Sequence, residues 1–256
     1  ESLKRGLHGK IDRIGLSGTN LAFQDADKKP QASRKLTASD HKTAANFLID
    51  WLEKQIDFKS VKAVGHRVVH GMKHTEPELV TKKLLVELHR IAPYDPDHLP
   101  REIELIETFH QRHPKLRQLA CFDTAFHQTM PRVARTYALP ARLRSRVRGF
   151  GFHGLSHAWA SRLVRTEDPG ADRILVAHLG GGQSVCGVLA GRSVATSMGF
   201  TPVDGLVMAT RSGSVDPGAM AGLAEHTDES LSDVIERESG LLALAKQAGF
   251  TEQTYK

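Results

Sequence analysis

An α/β fold is what this sequence predicts, and three observations predict it. Apolar residues recur at helical spacing across 44–56. Apolar runs ending in glycine or aspartate read as strands at 61–69 and 119–122, and glycines divide 174–197 into a three-stranded meander. Helical and strand-rich pieces alternate along the chain, as they do in mixed α/β proteins. With 256 residues there is length for one large domain or two modest ones.

The elements follow in order. Residues 6–26 alternate loosely and form strand pieces broken at Gly15 and Gly18, whereas the polar 27–39 is expected to be a surface loop. Ala44, Phe47, Leu48, Trp51, Leu52 and Ile56 share one face of a helix over 40–55, with Ser39 as its cap. After the strand at 61–69 come helices at 82–91 and 100–112, the second with Pro100 in its first turn. The short strand 119–122 delivers Asp123 at its carboxyl end, where α/β folds commonly place ligand groups. A helical piece at 131–137 precedes a basic stretch to Arg148, and 155–165 reads as a helix. The meander strands are 174–178, 184–189 and 192–197, turning at 180–182 and at Ala190-Gly191. Helices at 218–225 and 231–248, the latter interrupted near Gly240, complete the pattern. The domain change is expected at 124–130, giving domains 1–125 and 126–256.

Composition narrows the function. Hydrophobic residues at 40% and charged residues at 25% are ordinary for a globular chain, no apolar run spans a bilayer, and the polar start ESLKRG is no secretory signal. A cytoplasmic location is the expectation. Cys121 and Cys186 sit in apolar strand-like runs and read as free thiols, without the spacing of a structural zinc site. The net charge of +6 admits polyanions, yet arginines such as 142, 144, 146 and 148 read as scattered, and 6% aromatics gives no stacking platform. No nucleic acid and no membrane are expected as partners, and attraction of small phosphorylated ligands accounts for the sign.

Five segments carry chemistry. GHRVVHG at 65–71 places Arg67 and Val69 on one strand face and His66, Val68 and His70 on the other. A cation beside an apolar wall suits a short fatty acid; a structural ion pair is the other reading. FDTAFHQTMP at 122–131 offers Asp123 as a carboxylate ligand or a helix cap. GFHGLSH at 151–157 holds His153 and His157; a glycine stands where H-E-x-x-H needs glutamate, which argues against a zinc hydrolase. HLGGGQS at 178–184 turns on Gly180, Gly181 and Gly182, as a plain hairpin or as a main-chain cradle for phosphate. The segment 199–218 sets Arg211 among small residues, as a surface loop or as a guanidinium aimed at an anion.

In this order the five segments resemble the signature set of the acetate/propionate kinase family, from about Gly6 to Leu242. The resemblance implies a duplicated ribonuclease H-like fold of the actin/Hsp70/sugar-kinase type, incomplete at both ends. The N-x-G-S-S-S-x-K phosphate loop and a long carboxy-terminal stretch of the family have no match here. The activity it implies is reversible, ATP-dependent phosphorylation of acetate or propionate to an acyl phosphate, with Mg2+ and a homodimer in the complete member. A paralogue that binds nucleotide or a full-length kinase without turnover is the alternative. By resemblance Asp123, His153 and Arg211 are catalytic, and Arg67, Val69, Tyr94, Phe152 and Pro202 bind the carboxylate. His178, Leu179, Gly180, Gly181 and Gly182 hold nucleotide phosphates, Asp123 serves the metal, and His157 secures the start of its helix. Three positions depart from the family: Tyr94 for a pocket leucine, Asp95 for a functional histidine and Gly181 for asparagine. The 256 residues alone are expected not to turn over.

Overall fold

A computed structural model describes residues 6–25, 32–144 and 146–247. In chain order these form β1 (His8–Asp12), β2 (Asn20–Gln24), β3 (Ala32–Lys35), α1 (His41–Gln55), β4 (Ala63–Val68), β5 (Glu78–Leu79), α2 (Lys82–Ile91), α3 (Leu99–Arg112) and β6 (Arg117–Phe122). There follow α4 (Ala141–Arg144), α5 (Gly154–Glu167), β7 (Arg173–Leu179), β8 (Gln183–Leu189), β9 (Arg192–Thr196), α6 (Pro217–His226), α7 (Leu231–Asp233) and α8 (Gly240–Gln247). A single 3-10 turn at Phe126–Thr129 follows β6, and another at Arg132–Arg135 stands where a helix was expected over 131–137. The strands make three sheets, ordered β1-β2-β3, β4-β6-β5 and β7-β8-β9.

Two compact units share the chain, and neither is one continuous stretch. The first runs to His66 and adds Leu79–Ala92 and Pro96–Leu119; the second takes Arg67–Glu78, Pro93–Asp95 and everything from Ala120 onward.

In the first unit, β1 turns into β2 through Gly15 and Gly18, both at positive φ, as the two glycines predict. β3 corrects the surface loop expected over 27–39: Ala32–Lys35 pairs antiparallel with β2. All four of its residues are exposed, so no apolar alternation marks the strand. Residues 27–31 of that expected loop lie outside the described residues. α1 starts one residue later than expected, and its cap is Asp40, whose Oδ1 accepts the Thr43 N–H at 2.7 Å. Ser39 donates to that same carboxylate instead of capping the helix itself. Ile49 and Trp51 of α1, with Leu99, Ile103 and Ile106 of α3, are buried, and Arg112 ties α3 to Asp50 and Glu53 of α1. A cavity of about 410 Å³ lined by Ile11, Leu21, Leu48, Trp51 and Leu105 opens here, but it contains none of the expected site residues.

The second unit is built on the meander that the glycines predict. β7 and β8 pair from Arg173↔Leu189 to Leu179↔Gln183, which leaves Gly180–Gly182 as the connecting loop. The β8–β9 turn is two residues, Ala190 at φ 48° and Gly191 at φ 78°, the signs required by a turn whose twist matches its strands. α5 packs on β7, and the 3-10 turn after Phe126 packs on β9. Val176, Cys186 and Val188 are buried beneath Phe126 and Ala160. Cys121 and Cys186 are both free thiols.

Candidate active site

Every expected site residue belongs to the second unit. Arg67 points outward from β4 while its neighbours His66 and Val68 are buried, as the alternation predicts. Its Nε and Nη2 both donate to Asp123 Oδ2, at 2.8 and 2.5 Å. Asp123 sits just beyond β6, its side chain only 2% exposed against 50% for Arg67. Asp123 caps no helix; its N–H donates to Val68 and its carbonyl accepts the Gly154 N–H at 2.9 Å.

Gly154 opens α5, and that carbonyl explains the glycine. A Cβ here would fall against Asp123 O, far inside van der Waals contact, and 3.0 Å from Phe126 Cβ. Backbone gives way less readily than a flexible side chain. Gly154→Ala is therefore expected to destabilise the protein by about 3 kcal/mol, read as a lower urea midpoint at unchanged slope. An unaltered midpoint would show that the carbonyl can retreat at no cost.

His153 immediately precedes that glycine and takes the left-handed conformation at φ 58°, rare for a side chain with a Cβ. This turns its ring inward. It stacks on His178 with centroids 4.1 Å apart, and its Nδ1 bonds Ser184 Oγ at 2.8 Å. Burial first, then the charges that His178, Arg67, His157 and Arg211 would add, push its pKa down to about 3. The ring is neutral at pH 7. His157 does not secure the helix start with its side chain. Its N–H donates to the His153 carbonyl, and its fully buried ring turns to the same Ser184 Oγ, 2.8 Å from Nε2. Its Nδ1 has no partner among the described residues. His127 holds the segment from behind, with Nε2 on the Phe152 carbonyl and Nδ1 on Ser193 Oγ, both at 2.9 Å. The sequence motif contains His127, but nothing local to it marks this duty.

The glycine loop meets the Arg211 and His153 side chains at Gly182, while the Gly181 carbonyl accepts the Ala209 N–H at 3.3 Å. A Cβ on Gly182 would stand 3.1 Å from Arg211 Nη1 and 3.4 Å from His153 Nε2, whereas one on Gly181 would meet nothing within 4 Å. Loop backbone, arginine and histidine thus converge on one point. Arg211 Nη1 also reaches the Pro202 carbonyl at 3.4 Å. His178 closes the base of the loop, its Nδ1 bonded to Ser156 Oγ at 2.9 Å. Leu179 keeps a largely exposed side chain, and Gly180 lies nearest to Gly182 O and His178.

The residues expected to line an alkyl pocket differ in exposure. Val69 and Phe152 are buried, Pro202 is half-buried and Tyr94 is 44% exposed. Tyr94 lies edge-on to Phe200 and tilted to His70. Asp95 is buried, and its charge acts on His70. Among the described residues no three His, Cys, Asp or Glu side chains form a metal site. Asp123 brings one buried carboxylate, the usual protein share were magnesium to arrive on a phosphate substrate and keep its waters.

Comparisons with known proteins show the family. Residues 2–252 fit the Acetokinase family. Acetate kinase of Deinococcus radiodurans is 42% identical over 249 residues, 93% of this chain and 62% of that protein. Propionate kinase of Citrobacter rodentium is 36% identical over 249 residues, 93% of this chain and 61% of its own length. Among solved structures, a propionate kinase from Francisella tularensis superposes with TM-score 0.85 at 34% identity, over 93% of this chain and 63% of that one. Porphyromonas gingivalis acetate kinase gives 0.80 at 32%, over 94% and 63%. The chain spans about three fifths of the length of these relatives. Its fold is the duplicated ribonuclease H-like fold of those kinases, and with this match along nearly all its residues the chain belongs to the acetokinase family.

Proposed function

We propose that this chain carries the phosphoryl-transfer site of a cytoplasmic, homodimeric kinase that converts acetate or propionate and ATP reversibly to acyl phosphate and ADP. The observation that carries this reading is the convergence of Arg211, His153 and the Gly182 backbone. A carboxylate is already ionised at neutral pH, so the site needs no base to make its nucleophile. One carboxylate oxygen forms a bond to the γ-phosphorus as the bond to ADP breaks, and no proton moves. The difficulty is bringing two anions together, and fixed donors aimed at the transferring group meet it.

Arg211 supplies charge and His153, kept neutral, supplies a hydrogen bond. Open main chain at Gly180–Gly182 lets nucleotide phosphates approach closely. Arg67, with its side chain half exposed, meets the substrate carboxylate while Val69, Phe152, Tyr94 and Pro202 line its alkyl end. When bound, Mg2+ neutralises phosphate charge, and Asp123 is the residue that would hold it.

Hydroxylamine trapping by the intact gene product tests the whole reading: ATP-dependent hydroxamate should form with acetate or propionate, and its absence from folded protein would overturn it. Within that assay Arg67→Ala should raise the carboxylate KM by about ten- to a hundredfold, the worth of a charge-assisted contact. A KM within twofold of wild type would return Arg67 to a structural partner of Asp123.

A further inference from the structure

The arginines that look scattered along 132–148 are gathered by the fold. Arg132 and Arg135 come from one 3-10 turn, Arg144 from α4 and Arg148 from the stretch beyond it, and all four line a single cavity of about 400 Å³ with Thr136. None of the four has a salt bridge to a carboxylate among the described residues. Like charges left together without counterions cost stability unless an anion joins them. Asp204 lines a second cavity of about 140 Å³, which Arg135 and Thr136 also line, and is engaged by Ser214 Oγ and the Gly205 N–H.

Two of the arginines are fixed in place. Arg148 Nη2 donates to the Met72 carbonyl at 2.7 Å, and its guanidinium lies over the Phe150 ring, 4.6 Å from the centroid. Arg135 Nη1 leans on Gln128 at 3.5 Å, and its carbonyl accepts the Gly149 N–H. Arg132 and Arg144 are exposed and free to close over a ligand. Burial, and the charge of Arg135 beside it, hold Arg148 below its ordinary pKa, so an anion there would relieve a strain already present.

We propose that this cavity is a second anion site, apart from the phosphoryl-transfer site, and that it takes a small soluble di- or triphosphate. Guanidinium forks match phosphate oxygens in pairs, and four of them exceed the need of one carboxylate. The volume falls within the range of small-molecule pockets. A concave pocket favours a solute over a flat membrane surface.

Inorganic pyrophosphate is the probe, titrated by calorimetry into wild type, into Arg132→Gln/Arg144→Gln and into Arg211→Ala. The double variant changes only exposed residues, so its far-UV circular dichroism should match wild type. It should weaken one component of pyrophosphate binding by about tenfold or more, a component that Arg211→Ala leaves in place. Titrations of the double variant and wild type that superimpose would overturn the proposal. So would a weakening by sodium chloride equal to that by sodium sulfate at matched ionic strength, which is screening alone. Sedimentation with phosphatidic-acid vesicles should leave the protein in solution; pelleting that depends on Arg132 and Arg144 would assign the cluster to a lipid surface and defeat the soluble-ligand reading.

Discussion

Arg211→Ala is expected to lower kcat by about a hundred- to a thousandfold, the usual cost of losing one donor aimed at transition-state charge. The carboxylate KM should move far less, because a donor aimed at transition-state charge acts on kcat and leaves ground-state carboxylate binding little changed. The backbone around it is held independently of the side chain. Met208 N donates to the Arg211 carbonyl, Ser212 N to Ile235 O and Ser239 N to Thr210 O, all at 2.9–3.1 Å. Gly240, at φ 67°, sits against the Met208 and Arg211 main chain where no Cβ could fit. Truncation therefore removes a cation and leaves the loop. Steady-state kinetics on the intact gene product decides it: a kcat within tenfold of wild type would show that the phosphoryl group passes elsewhere.

Acid should unfold this protein early, and His70, His127 and His157 set the range. Each is at most 1% exposed, and burial pushes each pKa from 6.5 down to about 4. Asp95 opposes that shift at His70 while Arg148 adds to it; the Phe152 carbonyl opposes it at His127, and the charges of His127 and His178 add to it at His157. The folded state thus holds these rings neutral where the unfolded chain would protonate them. Between pH 6.5 and pH 4 the unfolded state binds more protons, so stability falls as pH drops through that window and is constant above it. At pH 5 the loss is about 2 kcal/mol for each histidine and about 6 kcal/mol for the three, enough to unfold many domains. Urea unfolding at pH 8, 6 and 5 measures it. A midpoint unchanged from pH 8 to pH 5 would mean that these rings are charged, or solvated, in the fold.

What the sequence shows and what it hides divide along physical lines. α2 is legible to the residue because Leu84, Leu88 and Ile91 repeat at helical spacing behind a Thr81 cap. The Ala190-Gly191 turn is legible through Gly191, which adopts a positive φ freely, although alanine is an unusual residue at φ 48°. Arg67, His153 and Arg211 stand out as residue types, and the fold brings His153 and Arg211 together. By contrast, Ser39 and Asp40 are both good caps, and only geometry chooses between them. β3 is polar on both faces and carries no period at all. Which loop glycine meets the arginine depends on a chain 29 residues away, so Gly182 could not be told from Gly181. The arginine cavity is hidden for the same reason: its members come from different turns, and proximity in sequence looks like scatter.

Ser184 has a single hydroxyl proton and two histidine nitrogens at 2.8 Å. It can donate to one ring and must accept from the other. If His157 carried its proton on Nδ1, that N–H would be a buried donor without a partner, which folded proteins seldom tolerate. The proton therefore belongs on His157 Nε2, donated to Ser184, and the serine passes its own toward His153 Nδ1. His153 is left with its hydrogen on Nε2, the atom that faces Gly182 and Arg211. A silent core histidine thus fixes the polarity of its half-buried neighbour. In the proposed transfer an incoming phosphoryl oxygen would meet an N–H there, not a lone pair, without the site having to gain a proton.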